Sequence, residues 1–117
     1  MAKRRLYSEI FYKEIASATV DYAEGEEVPQ GYVLYVTAAN FEDENNLASD
    51  MCFGKKQSSD FIPFECFRQS VLGVRVSIGS THVIIAGWKP AIRIRGAIAA
   101  DKVRGYAEGY YTKIEEV

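Results

Sequence analysis

Runs of aromatic, β-branched or alternating apolar residues recur along this chain, and turn residues interrupt them every eight to twelve positions. Pro29-Gln30-Gly31, Gly54 to Asp60, Gly79-Ser80 and Gly87-Trp88-Lys89-Pro90 are the clearest interruptions. No apolar repeat of helical period and convincing length lies between them. Seven or eight short strands at this spacing predict an all-β fold, an antiparallel β-sandwich or a barrel, with the sandwich preferred.

The strands differ in clarity. Tyr32 to Ala39 is rich in Tyr, Val and Thr and is apolar on both faces, which predicts a central strand covered on both sides. Asn40 to Asp50 reads as a polar loop, and Met51-Cys52-Phe53 resumes a strand. Phe61 to Phe67 is interrupted by Pro63, which confines it to a sheet edge or a strand start. Val71 to Ile78 alternates, with Val74, Val76 and Ile78 on one face and Arg75 and Ser77 on the other. His82 to Ala86, Ala91 to Gly96 and the stretch from Val103 to Tyr111 complete the set, with Ile92 and Ile94 inward and Arg93 and Arg95 outward.

The first residues are ambiguous. Leu6, Ile10 and Ile15 fit one side of a short helix. Alternation fits too, with Leu6, Ser8, Ile10 and Tyr12 facing one way and Tyr7, Glu9, Phe11 and Lys13 the other; the aromatic and β-branched content tips the balance toward an extended arm or strand. With 117 residues there is room for one core. The expected organisation is an N-terminal arm or short helix over 1–18 and a sandwich domain over 19–117.

Charge gives no global push toward nucleic acid or an anionic membrane, since the formal net charge is −2. It is unevenly spread: residues 1–60 hold six Lys or Arg against eleven Asp or Glu, and residues 61–117 hold eight against five. Either the two halves interleave and cancel within one molecule, the simpler reading, or they form acidic and basic faces suited to head-to-tail assembly. Cys52 and Cys66 lie in separate apolar stretches, where free cysteine serves as a small buried hydrophobe, so no disulfide scaffold is expected. Met1-Ala2-Lys3-Arg4-Arg5 is basic, but Ser8, Glu9, Lys13 and Glu14 break up any secretory core, and no apolar run is long enough to span a bilayer. The expectation is a chain made and kept in a cytoplasm, at least until assembly or lysis.

Nothing in the chain calls for a cofactor or a metal. His82 is the only histidine, and its place in a strand favours a structural role over catalysis. Glu42-Asp43-Glu44-Asn45-Asn46 supplies oxygen ligands of the kind calcium takes, but without EF-hand spacing, so a solvated loop is the simpler reading. Trp88, in a turn, could join Tyr106, Tyr110 or Tyr111 in a platform that stacks on sugar rings or bases; core or interface packing is the alternative for these aromatics. Arg93, Arg95, Lys102 and Arg104 would make a basic stripe if their strands paired as a hairpin, with internal ion pairing to Asp101 and Glu108 as the simpler outcome.

Val28-Pro29-Gln30-Gly31-Tyr32-Val33-Leu34-Tyr35-Val36-Thr37 resembles the opening strand of small jelly-roll proteins of bacteriophage particles. Ala86-Gly87-Trp88-Lys89-Pro90-Ala91-Ile92-Arg93-Ile94 looks like their penultimate strand pair, and Asp101-Lys102-Val103-Arg104-Gly105-Tyr106-Ala107-Glu108-Gly109-Tyr110 is similar to their closing strand. The resemblance covers residues 26–112 and carries over no functional residue. It implies a jelly-roll-like sandwich and a non-enzymatic virion component, in capsid decoration or the tail or head–tail region, whose partners are itself, as a homo-oligomer, and other virion proteins. A glycan- or small-ligand-binding module is the alternative, because the same architecture serves both.

Overall fold

Alternating sequence is realised as nine strands: β1 (Arg4–Glu14), β2 (Val20–Glu24), β3 (Tyr32–Asp43), β4 (Asp50–Gln57), β5 (Asp60–Phe67), β6 (Val76–Ser77), β7 (His82–Ile85), β8 (Lys89–Arg95) and β9 (Lys102–Lys113). The structure, a computed structural model, describes residues 4–114, and no helix occurs among them. All pairings are antiparallel and form a β-sandwich. One sheet runs β1-β9-β3-β6, with β7 also on β3; the other runs β2-β8-β4-β5. The β6 and β7 segments lie end to end along the same side of β3, one beside Asn40 and Phe41 and the other beside Val33 to Val36.

The core sits between the sheets. Phe11, Leu34, Val36, Phe41 and Val103 project from one, Met51, Phe53, Ile92 and Ile94 from the other, and all are essentially inaccessible to water. Phe41 and Phe53 stack across the interface with ring centroids 5.6 Å apart, and Phe11 meets Phe41 edge-on at 6.2 Å. Each such side chain contributes about 1.5–3 kcal/mol by leaving water. Gly105 makes room for the Phe11–Phe41 contact: a Cβ there would lie 2.4 Å from Phe41 Cδ1.

Several expectations are corrected. From Arg4 on, the alternating reading of the first segment holds as a strand, not a helix or a free arm: β1 pairs with β9 residue by residue to Glu14 and buries Tyr7 and Phe11, while residues 1–3 of the expected 1–18 segment lie outside the described residues. Continuous alternation with an apolar inner face makes it an integral strand. The chain bulges at Thr37 in β3, which resets the alternation, so Ala39, Phe41 and Asp43 turn inward where an unbroken pattern would send Ala38. The strand therefore continues to Asp43, through part of the expected polar loop. It is central in its sheet, yet no layer among the described residues covers its outer face, where Val33 and Tyr35 stay half-buried. Only Val76 and Ser77 of the 71–78 stretch form a strand, and Val74 is exposed.

Cys52 and Cys66 are not free thiols but a disulfide across β4 and β5, with Cα atoms 4.0 Å apart. A bulge at Phe64 shifts the β4–β5 register by one residue and sets the two cysteines directly opposite each other. Cys52 is buried and Cys66 exposed, on the outer face of the four-stranded sheet.

The two halves of the chain interleave, and their opposite charges meet. Arg75 pairs with Glu42 at 3.2 Å, Lys89 with Glu24 at 3.5 Å, and Arg104 with Glu44.

Candidate functional site

Tyr110 lies opposite Leu6 on one side and Tyr35 on the other, and Tyr35 in turn lies opposite Val83. All four point outward, so an apolar-aromatic row crosses β1, β9, β3 and β7. At about 4.8 Å per strand the row is roughly 15 Å wide. Beside it run Thr112, Val33 and Ile85, and further along β1 come Ile10 opposite Tyr106 and Tyr12 opposite Arg104. Exposure is 92% for Leu6, 77% for Ile10, 50% for Ile85 and 44% for Val83. Isolated exposed aliphatics are ordinary; a contiguous row on one sheet face is not.

The aromatic rings in this row are already engaged. Tyr35 and Tyr110 stack with centroids 5.0 Å apart and planes 16° apart, and the Arg4 guanidinium lies 4.4 Å from the Tyr110 centroid. Toward the other end the face turns polar, with Arg104 over Tyr12 at 4.8 Å and the Arg75–Glu42 and Arg104–Glu44 pairs. The face thus has an apolar end and a charge-paired end.

The anticipated platform of Trp88 with Tyr106, Tyr110 and Tyr111 is not assembled. Tyr106 and Tyr110 point outward on β9, whereas Tyr111 turns inward to pack edge-on against Tyr7 at 5.5 Å. Adjacent strand residues cannot share a face. Trp88 sits in the connection from β7 in one sheet to β8 in the other, half-buried against the core, with Lys55 Nζ 4.8 Å from its ring centroid.

Nor do the four basic residues form one stripe, because β8 and β9 belong to different sheets. Arg93 lies on the outer face of the four-stranded sheet, its guanidinium donating to Cys52 Sγ at 3.4 Å and lying 5.1 Å from the Phe61 ring centroid. Arg95 is exposed farther along β8, and Lys102 and Arg104 are exposed on β9.

The acidic cluster does not converge on one point. Glu42 and Glu44 turn out to their arginine partners, whereas Asp43 turns in and is fully buried. Asp43 Oδ1 accepts the N–H groups of Asn45 at 3.0 Å and Asn46 at 3.2 Å, while no N–H reaches Oδ2. The Asp101 carboxyl lies alongside, held by the Asn46 side-chain amide at 2.7 Å and the Ile98 N–H at 3.1 Å. Burial, and then the hydrogen bond with Asp101, push Asp43 up to about 6. Burial disfavours charge on Asp101 too, but donation from Asp43, Asn46 and Ile98 outweighs it and holds this group below the usual carboxylate range. One proton shared between the two carboxyls satisfies both.

His82 has a structural setting at the opposite sheet edges. Its Nε2 meets Glu65 Oε2, and its ring stacks on Phe64 at 4.8 Å. Glu65 also accepts from Gly79 N at 2.9 Å and Ser80 N at 3.4 Å, which ties β5 to the loop before β7.

Leu6, Ile10, Tyr35, Val83 and Ile85 are the surface residues that motif reasoning misses. Their only signal is that β1, β3 and β7 carry apolar residues on both faces while a two-layer sandwich needs one apolar face. No family model, curated protein or solved structure matches the chain.

Proposed function

We propose that this protein is a non-enzymatic assembly component, a jelly-roll virion protein of the bacteriophage type, that works through protein–protein contacts. The observation that carries this reading is the contiguous apolar row Leu6–Tyr110–Tyr35–Val83 on the outer face of the five-stranded sheet. A surface of that kind lowers its free energy by covering itself with another protein.

The strand order supports the jelly-roll part. With β6 and β7 taken as one interrupted strand, the described residues form eight, and first pairs with last, second with seventh, third with sixth and fourth with fifth. A long antiparallel hairpin wrapped into two sheets has those four pairings, and the wrapping adds β3·β9 and β4·β8. The Cys52–Cys66 disulfide suits a particle that leaves the reducing cytoplasm in which it was made.

Sugar stacking has less support, because it needs an open aromatic face. Tyr35 and Tyr110 face each other, Arg4 lies over Tyr110, and Lys55 lies over Trp88.

Light scattering across a micromolar concentration series, with and without purified particle components, tests the reading. Association that weakens in Val83→Lys and Tyr35→Lys is the expected result. A strict monomer that binds no particle component overturns it, and binding on a glycan array that disappears in Trp88→Ala transfers the function to the ligand-binding class.

A further inference from the structure

The two sheets have four edges, and the chain treats one of them differently from the rest. Edge strands carry unpaired backbone N–H and C=O groups, and proteins guard them by shortness, proline, bulges or cover. β2 has only 5 residues. β5 contains Pro63 and a bulge at Phe64, and Glu65 bridges it to His82. The edge beyond β3 is broken into β6, with 2 residues, and β7, with 4. Charged side chains also guard edges, and β1 carries Arg4, Arg5, Glu9, Lys13 and Glu14, but it has none of the other guards: it runs 11 residues without proline and pairs with β9 without a register shift.

Among the described residues, nothing pairs with the free edge of β1. An open groove of about 440 Å³ runs along it, lined by Arg5 to Ile10 together with Glu26 and Tyr111. Beside the groove Glu9 accepts the Tyr7 hydroxyl at 2.7 Å and the Glu26 N–H at 2.7 Å, which fixes the inner rim. The outer rim carries Leu6 and Ile10, the two most exposed large apolar residues among those described.

We infer that β1 is completed by β1 of a second copy of this chain, in an antiparallel pair with its two-fold axis at Ser8. The inference rests on the assembly reading above and names its surface and its partner.

Self-complementarity selects both. A two-fold at Ser8 sets Leu6 opposite Ile10 of the second copy, twice over, on the outer face. The same axis sets Arg4 opposite Tyr12 and Arg5 opposite Phe11, with the carboxylates of Glu14 and Glu9 one diagonal step away from those two arginines. Across the pairs from Arg4 to Tyr12, which the described residues form, no like charges meet. Shifting the axis to Glu9 sets Glu9 against Glu9 and Arg5 against Lys13, and shifting it to Tyr7 sets Arg4 against Ile10 and separates the aliphatic pair. An axis between residues mixes inner with outer faces and exposes the core side of one copy. Pairing at Ser8 joins two five-stranded sheets into one continuous sheet whose outer face carries both apolar rows.

Single-cysteine crosslinking with sedimentation velocity on the full chain tests this. Ser8→Cys places the new thiols directly opposite each other, so mild oxidation yields a covalent dimer on a non-reducing gel. Tyr12→Cys places its two thiols about 27 Å apart in the same dimer and yields none. Ile10→Lys weakens dimerisation by about tenfold or more, since each substitution counts twice across the axis, while Ile62→Lys, at the exposed edge of the other sheet, leaves it unchanged. Association that survives Ile10→Lys, with equal crosslinking of both cysteine variants or none, overturns the β1 pair and leaves the assembly reading standing. A monomer that pairs only with a different particle protein does the same. A monomer that binds nothing ends both.

Discussion

Replacing Asp43 with Asn converts a shared proton into a permanent one, and the consequence can be worked out from the pair's geometry. In the folded protein Asp43 is pushed up to about 6 from an ordinary value of 3.8, because it is buried beside Asp101 and no N–H reaches its Oδ2. A raised carboxyl binds its proton more tightly when folded than when unfolded. It therefore adds stability at acid pH, and that stability is lost as the pH rises through the folded value. Between pH 5 and pH 7 the unfolded chain is already ionised there while the folded chain gives up its proton, which costs on the order of 1 kcal/mol of stability by linkage. Asp101 has the opposite sign: it is held low, so its contribution is present at neutral pH and disappears as the pH falls through its own folded value. The pair is most stabilising between the two.

In Asp43→Asn the amide NH₂ donates to Asp101 as the protonated acid does, and the amide oxygen keeps the Asn45 and Asn46 N–H bonds. Urea denaturation of wild type and variant at pH 5 and pH 7 isolates the effect, because all other titrations cancel in the double difference. The variant is expected to lose on the order of 1 kcal/mol less than wild type over that interval and to be the more stable protein at pH 7. Asp43→Ala, which leaves the two N–H groups and Asp101 unpaired, is expected to be less stable at both pH values by about 1–3 kcal/mol. If Asp43→Asn shows the same loss from pH 5 to pH 7 as wild type, the shared-proton account is wrong.

Other substitutions test the packing. Gly109→Ala puts a Cβ 1.8 Å from the Tyr35 carbonyl oxygen beside the Thr37 bulge, so it should cost more than 2 kcal/mol in denaturant melts, whereas Gly31→Ala, with a φ of +84° but open space, should cost only about 1. Phe11→Ala should cost about 3–5 kcal/mol and Ile10→Lys less than about 0.5 in the monomer, although the two residues are adjacent in β1; equal losses would mean that β1 is not seated as described. The protein should give no thiol reaction in denaturant until reduced and two thiols afterwards. Reduction should lower stability by up to about 3 kcal/mol for a loop of this length, and an unchanged midpoint would place Cys52 and Cys66 outside the cooperative unit.

What could be read from the sequence was local, and what could not depended on single-residue shifts. Pro63 put β5 at an edge correctly, and the alternation of Ile92 and Ile94 with Arg93 and Arg95 predicts the faces of β8. The bulges at Thr37 and Phe64 have no strong signature in composition. They nevertheless decide that Phe41 and Asp43 face the core and that Cys52 meets Cys66. The basic stripe fails for a topological reason: β8 and β9 are consecutive but belong to different sheets. The Asp43–Asp101 contact joins positions 58 residues apart, from a segment whose acidic composition looks like solvated loop.

β1 is the informative ambiguity. Its two faces separate cleanly by alternation, but Leu6 and Ile10 on one are as apolar as Tyr7 and Phe11 on the other, so the pattern alone does not say which face is core. A strand with one layer to cover it needs one apolar face. The four-stranded sheet covers Tyr7 and Phe11, and among the described residues nothing covers Leu6 and Ile10. A long, regular edge strand has the same property, since among the described residues nothing pairs with its free N–H and C=O groups. Two unrelated deficits, one of the side chains and one of the backbone, fall on the same eleven residues. A second β1 in antiparallel register removes both at once, whereas cover by a loop or helix would satisfy the outer face and leave the edge unpaired.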